Sequence, residues 1–293
     1  MKNYILAALA MAAMTACQHS EIPSENKEEN QSVAQGECRV SFSPFVFTLE
    51  QGNINAWQKS RAGALEELAT TLSYWDYMED EEMGKNTVTL PSPVDMTLRY
   101  GEHCIYFLAH SSSPAPQVSS DMKFTPEKVT ETFWKDFRLT ADENLEHDQT
   151  VKLERVVSKA MVTLKDAMPA NVKSMRLTVG SHLRTLDLFT GNGDAESAAE
   201  YTLKWDISEE YAGRTGLSFS AYTFTPTAEE EFNVTLKIEA LAADGKVLHS
   251  AVASQVPLLR NRCTNASCRL FTTNAGMTFG SPDDWNPVKE IQF

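Results

Sequence analysis

The chain reads as an all-β protein: two tandem β-sandwiches with few short helices. Three observations predict this. Short segments with strand-like alternation recur along most of the chain, turn-forming residues punctuate them, and stretches of helical period are few. Once an N-terminal leader is set aside, 277 residues remain (293 minus 16), too many for one small sandwich and enough for two.

The elements follow in chain order. Lys2 supplies a positive start, Ile5 to Ala13 form a short apolar run, and Met14-Thr15-Ala16-Cys17 resembles the pattern ahead of a lipidated cysteine. A run this short is a signal-peptide core and cannot span a membrane. Residues 1–16 are expected to be removed, leaving Cys17 to carry acyl chains and tether the protein outside the cytoplasm as a surface or periplasmic component. Residues 17–36 hold Glu, Ser, Asn and Gln with almost no large apolar side chain, which predicts a flexible acidic tether. Such a tether also resembles the surface-export signal of Bacteroidetes lipoproteins.

The first sandwich is expected over 37–156. Arg39-Val40-Ser41-Phe42-Ser43 alternates and runs on through Phe45-Val46-Phe47; Thr87 to Leu90, Met96 to Leu98 and Cys104 to Leu108 are further strand signals, with Pro91 and Pro93 breaking two of them apart. Short helices are expected at Ala62 to Leu72 and at Pro126 to Phe137. From Val151 to Leu164 the apolar parity slips near Ser158, which predicts a bend or bulge where one domain hands over to the next. The second sandwich, 157–293, carries strand signals at Met175 to Val179, Tyr201 to Trp205, Leu217 to Phe224, Phe232 to Ala240 and Val247 to Val256. Ala243-Asp244-Gly245 predicts a hairpin turn, and Asn192-Gly193-Asp194 a loop.

Composition excludes several functions. The formal net charge is −14, or −15 once Lys2 leaves with the leader, and Lys and Arg do not cluster, so nucleic acid is not expected as a partner. The acidic runs Glu28-Glu29, Glu79 to Glu82 and Glu229 to Glu231 read as solvated loops. With Cys17 acylated, Cys38, Cys104, Cys263 and Cys268 could make two disulfides, and three pairings are open. Cys38 with Cys104 suits two strand segments of the first half. Cys263 and Cys268 would face opposite ways on one continuous strand and could bridge only across a turn.

No metal or cofactor is expected: there is no CxxC pair, and the six histidines are scattered. His103 and His110, an odd seven apart, fall on opposite faces of a strand and read as solvent-exposed or edge residues. The chain has no Gly-x-Ser-x-Gly elbow, no His-Glu-x-x-His helix and no phosphate-cradling glycine loop, so no enzyme is expected. Asp283-Asp284-Trp285 has the look of a sugar site, but reads first as a capped turn with Trp285 packing a sandwich end. Trp57, Trp75, Trp134, Trp205 and Trp285 could line a carbohydrate platform or anchor cores.

Four groups of residues carry a family resemblance: the lipidation motif at Cys17 with its acidic tether, Arg99 to His110, Leu153-Glu154-Arg155-Val156-Val157-Ser158-Lys159-Ala160, and Val256-Pro257-Leu258-Leu259-Arg260-Asn261-Arg262. Together they resemble the fimbrial anchor and accessory subunits of Bacteroidetes, with Leu153 to Lys159 similar to the family's Leu-x-Arg-x-Val-x-Lys hinge. The resemblance implies two transthyretin-like sandwiches, a lipid anchor at Cys17 that holds the protein at the outer membrane facing the surface, assembly with fimbrial subunits by β-strand pairing, and a role in adhesion. Stalk subunits of that superfamily lose their N-terminal strand to an arginine-specific protease whereas an anchor keeps its lipid; Arg39 and Arg61 are the candidate cleavage points here. The rival expectation is a surface glycan-binding lipoprotein that uses exposed tryptophans.

Overall fold

In the computed structural model, residues 36–49, 60–63, 65–113, 118–272 and 276–280 are described. They belong to one compact unit. The leader, nearly all of the tether, Cys17, Glu28-Glu29, Trp57 and Asp283-Asp284-Trp285 lie outside the described residues.

Among the described residues twenty strands follow one another: β1 (Glu37–Leu49), β2 (Ser60–Gly63), β3 (Thr71–Met78), β4 (Glu81–Thr89), β5 (Val94–Arg99), β6 (Gly101–His110), β7 (Lys123–Phe124), β8 (Thr132–Ala141), β9 (Asp148–Lys152) and β10 (Glu154–Arg155) in the first half. The second half holds β11 (Val157–Leu164), β12 (Ser174–Leu183), β13 (Leu186–Asp187), β14 (Asn192–Gly193), β15 (Ala198–Asp206), β16 (Ser218–Phe224), β17 (Phe232–Leu241), β18 (Val247–Leu258), β19 (Cys263–Arg269) and β20 (Gly276–Gly280). The protein is all-β. Its helical content among the described residues is three single 3-10 turns, Leu65–Glu67, Ala195–Ser197 and Glu209–Tyr211.

Four sheets make two sandwiches. In the first, β2-β1-β5 with β9 beside β1 faces β10-β8-β6-β3-β4. Alternation decides which side chains enter the core: along β5, Val94, Met96 and Leu98 are buried while Asp95, Thr97 and Arg99 are exposed. They meet Leu72, Ile105, Phe107 and Phe133 from the other sheet. Burying side chains of this size contributes about 1.5–3 kcal/mol each. In the second, β16-β11-β19-β20 faces β15-β12-β17-β18 over Ala160, Val162, Leu164, Leu177, Leu236 and Ile238.

Between the sandwiches lies a third apolar cluster. Trp75, Tyr106, Leu108 and Trp134 come from the outer face of the β10-β8-β6-β3-β4 sheet, and Val157, Leu183, Leu188, Phe224 and Cys263 come from the second half. A small sheet, β14-β13-β7, joins Lys123–Phe124 to the loop after β12.

Several expectations need correction. The segment Pro126 to Phe137 holds no helix among its residues; β8 starts at Thr132 and pairs with β6 over ten positions. The region Ala62 to Leu72 holds one 3-10 turn between two strands. Asn192-Gly193 is a short strand paired with β13, and Asp194 caps the turn after it. The Ala243-Asp244-Gly245 turn forms as expected, with Gly245 at φ 81°. The parity slip is real, since Val157 and Ser158 are both buried, but β11 carries no bulge: it pairs in unbroken register with β16 from Val157 to Thr163 and with β19 from Lys159 to Leu164.

Candidate functional site

β1 is the first strand of the described residues, and it carries Arg39, one of the two candidate cleavage points. β1 sits in the middle of its sheet, antiparallel to β5 from Glu37 to Phe42, parallel to β9 from Ser41 to Phe45, and antiparallel to β2 from Val46 to Leu49. It contributes Val40, Phe42 and Val46 to the first core. Arg39 lies inside the β1–β5 ladder opposite Thr97, with its side chain exposed. Arg61 lies on β2, opposite Thr48. Scission after Arg61 frees the whole of β1, whereas scission after Arg39 leaves most of it attached.

The second element is the junction between sandwiches. The segment from Leu153 to Leu164 passes through all three cores: Leu153 belongs to the first, Val156 and Val157 to the middle cluster, and Ala160 onward to the last. The Val256 to Arg262 segment folds back onto it. Asn261, at φ 56°, donates its N–H to the Val157 carbonyl at 2.9 Å, and the Arg262 carbonyl accepts from the Lys159 N–H at 3.0 Å. Asn tolerates this left-handed backbone better than most residues. Two motifs far apart in sequence are thus bonded to each other.

Arg155 locks the same place. Its Nη1 donates to Asn261 Oδ1 at 2.9 Å, its Nη2 lies 3.1 Å from Glu131 Oε1, and its guanidinium covers the Phe133 ring at 5.1 Å. Arg260 donates from Nη2 to Asn192 Oδ1 at 2.6 Å, and its burial lowers its pKa from the ordinary arginine value. Trp134 Nε1–H donates to the Leu188 carbonyl at 2.9 Å. Gly191, at φ 66°, passes beneath that indole so closely that a Cβ would sit 2.4 Å from a ring carbon. Glu131 and Leu188 are unmarked in the sequence, and Asn192 stands out only as part of a loop, because nothing local identifies them as partners of distant side chains.

The histidines correct a further expectation. His103 and His110 do fall on opposite faces of β6, yet both are buried, because β6 is covered by a core on each side. His103 Nδ1 lies 2.7 Å from Asp76 Oδ1, and Nε2 donates to the Arg99 carbonyl at 2.8 Å. A carbonyl and a carboxylate both only accept, so the geometry suits an imidazolium that donates from both ring nitrogens. The hydrogen bond to Asp76 raises the His103 pKa above its usual value. Around the pair, Glu37, Tyr74, Asp95, Arg99 and Met96 line an open cleft of about 460 Å³ between the two sheets. His110 and His182 behave oppositely: burial pushes each down to about 4, so both are neutral.

The cysteines are placed apart. Cys38 on β1 and Cys104 on β6 belong to different sheets, and both, like Cys268, are free thiols. Cys263 and Cys268 sit on one continuous strand and enter different cores, so neither sequence-allowed bridge is formed. No group of three or more His, Cys, Asp or Glu side chains able to hold a metal ion occurs among the described residues. Of the tryptophans, Trp75 and Trp134 are buried at the junction and Trp205 packs on Phe219 at 5.2 Å, so those described serve cores.

Comparison with known proteins gives a family and a fold. A family of unknown function, DUF6562, matches residues 130–287. No curated protein matches the chain. Among solved structures, a proposed adhesin from Bacteroides ovatus is 10% identical, with a TM-score of 0.55, over 87% of this chain and 96% of that one. A protein of the DUF1812 group from Bacteroides thetaiotaomicron, proposed to bind polysaccharide, is 10% identical with a TM-score of 0.52, over 86% and 99%. A proposed cell adhesion protein from Bacteroides ovatus is 12% identical with a TM-score of 0.50, over 87% and 100%. At these identities the likeness is one of fold.

Proposed function

We propose that this chain, which belongs to the DUF6562 family of unknown function, is a lipid-anchored fimbrial anchor or accessory subunit that pairs strands with fimbrial subunits in support of cell adhesion. The observation that carries the reading is the place of β1. A first strand that is central in its sheet is an element a partner's strand can replace, because its loss leaves two unpaired ladders and an open apolar slot. Two of the fold's solved neighbours carry adhesion in their descriptions, which supports the same reading and a non-enzymatic role. The division into domains 37–156 and 157–293, with the Arg155–Asn261 lock holding them, is part of the proposal.

Anchorage is assigned to Cys17, with residues 1–16 as the leader. Among the described residues no helix is long and apolar enough to cross a membrane. Replacing Cys17 by Ala should release a folded protein from the membrane fraction of its native cells. Retention of that variant with membranes would remove the lipid anchor from the proposal.

A second reading, a surface glycan-binding lipoprotein, draws on the polysaccharide named for one neighbour. It predicts retention on a polysaccharide column that Trp→Ala changes at Trp57 or Trp285 abolish, since the described tryptophans are committed to cores.

A further inference from the structure

The inner faces of a sandwich are ordinarily closed by apolar side chains, and the first sandwich departs from that at one end. There β3 and β6 turn Asp76 and His103 inward, in step with Tyr74 and Ile105 of the first core. The two side chains are 5% and 1% exposed. The next strand, β4, places Gly84 directly opposite Asp76, on the same face of the sheet. A Cβ at Gly84 would meet nothing within 4 Å.

β4 and β5 are edge strands of the two facing sheets, and residues of both line the cleft of about 460 Å³ above this pair. That volume falls in the range of roughly 300–1,000 Å³ usual for small-molecule sites. Asp76 Oδ1 is taken by His103, while Oδ2 has no hydrogen-bond partner among the described residues. Glu37 and Arg99 are register partners at the rim, and both are exposed, as is Asp95. None of the three joins an ion pair among the described residues. Replacing a buried ion pair by apolar side chains of similar volume often stabilises a protein, so stability alone gives no reason to keep this pair beneath an empty glycine position. Convergent polar groups over a titratable pair are the usual form of a ligand site.

We infer that this cleft binds a neutral, hydroxyl-rich ligand, a saccharide. The groups that line it select that chemistry. The carboxylates of Asp76, Glu37 and Asp95 only accept hydrogen bonds, and the Arg99 guanidinium only donates them. An ammonium or guanidinium ligand only donates, and would meet Arg99 as a like charge. A phosphate or carboxylate only accepts, and would face three carboxylates. A hydroxyl does both, so neighbouring hydroxyls of one sugar ring can donate to a carboxylate while another accepts from Arg99. Every such bond has a charged partner, which makes it one of the stronger kind. Free amino acids also carry both kinds of group, and serve as the control.

Gly84 controls entry. Its φ lies outside the left-handed region, so a larger residue fits the strand without backbone strain, and its side chain would project beside Asp76 into the cleft. The site uses none of the tryptophans. The inference rests neither on the fimbrial reading nor on the tryptophan reading, and stands or fails separately from both.

The test is saturation-transfer NMR on the full chain, with glucose, galactose, mannose, N-acetylglucosamine, maltose and cellobiose as probes and glycine and lysine as controls. At least one sugar should receive saturation from the wild-type chain, and titration calorimetry should then give its Kd. Gly84→Leu should abolish that binding and leave the thermal midpoint where it was. Arg99→Gln and Asp95→Asn, both at exposed positions, should each weaken it by about tenfold. Trp57→Ala and Trp285→Ala should leave it intact. No transfer to any of the sugars overturns the proposal. So does binding that survives both Gly84→Leu and Arg99→Gln, which puts the sugar elsewhere on the chain. Loss on Trp57→Ala or Trp285→Ala alone overturns it in favour of the tryptophan reading. Binding of glycine or lysine ahead of every sugar overturns the ligand class.

Discussion

The two sandwiches solve the same packing problem differently. The second closes two four-stranded sheets over a core made mostly of aliphatic side chains, and on the outer side of β17 it buries the Glu239 carboxylate beneath Arg176 and Lys237. The first places its opening strand mid-sheet and seats a buried ion pair, His103–Asp76, at the end of its core. The second half is therefore the more self-sufficient, and the first depends on β1 and on the junction. Both halves bury charged or titratable side chains, Asp76 and His103 in the first and Glu239 and His182 in the second, so what sets the halves apart is the mid-sheet place of β1.

The change with the largest expected effect strikes the junction that unites them. Trp134→Ala removes a buried indole and its bond to Leu188, and should cost about 3–5 kcal/mol. It should also split one thermal transition into two, read by calorimetry, with the later step belonging to the second sandwich. A single transition lowered as a whole would mean the halves remain coupled by other contacts.

Next comes the ion pair. Asp76→Ala leaves a buried imidazolium without its counter-charge and should cost about 3 kcal/mol, whereas Asp76→Asn should cost clearly less, because an amide can donate to neutral Nδ1. Urea melts of both variants measure the gap, and equal losses would argue against a charged pair.

Acidification sharpens the contrast further. Burial lowers the pKa values of His110 and His182 to about 4 from the ordinary histidine value of 6.5, so the stability they contribute is present above pH 6.5 and fades as pH falls toward 4. The loss should reach roughly 3 kcal/mol for each at most. His103 has the opposite sign: its pKa is raised, so its contribution survives at low pH and is lost as pH rises through that raised value. His182→Gln should therefore flatten the acid limb of a stability–pH profile, and an unchanged slope would contradict a neutral buried His182.

The smallest effects lie at the hairpin tips. The β3–β4 turn uses Glu79 and Asp80 at φ 48° and 66°, where glycine would be less strained, and β17–β18 already uses Gly245. Asp80→Gly should gain about 1 kcal/mol and Gly245→Ala should lose about as much. Denaturant midpoints of the two variants moving in the same direction would refute this reading of the turns.

What the sequence revealed follows from how many faces each strand buries. β5 and β12 show themselves through alternation, Val94, Met96 and Leu98 in one and Met175, Leu177 and Val179 in the other, and the Asp244-Gly245 turn through its chemistry. β8 escaped because Phe133 enters the first core while its neighbour Trp134 enters the junction, and adjacent buried residues erase the two-residue period. The same double burial of β6 made His103 and His110 look like surface residues. The hinge and the Val256 to Arg262 segment were legible as motifs, but not their mutual bonding, since the Arg155–Asn261 contact spans 106 residues. The cleft lined by the β4 and β5 edges left no mark in the sequence, because strand order is a tertiary property.

Strand-paired assembly is tested most directly by purifying the tagged full chain from the membranes of its native cells and identifying what accompanies it. Fimbrial subunits co-purifying in ladders that survive SDS, and lost when β1 is deleted, are the expected result. Recovery of glycan-uptake proteins alone, or of the chain without any fimbrial subunit, would contradict it.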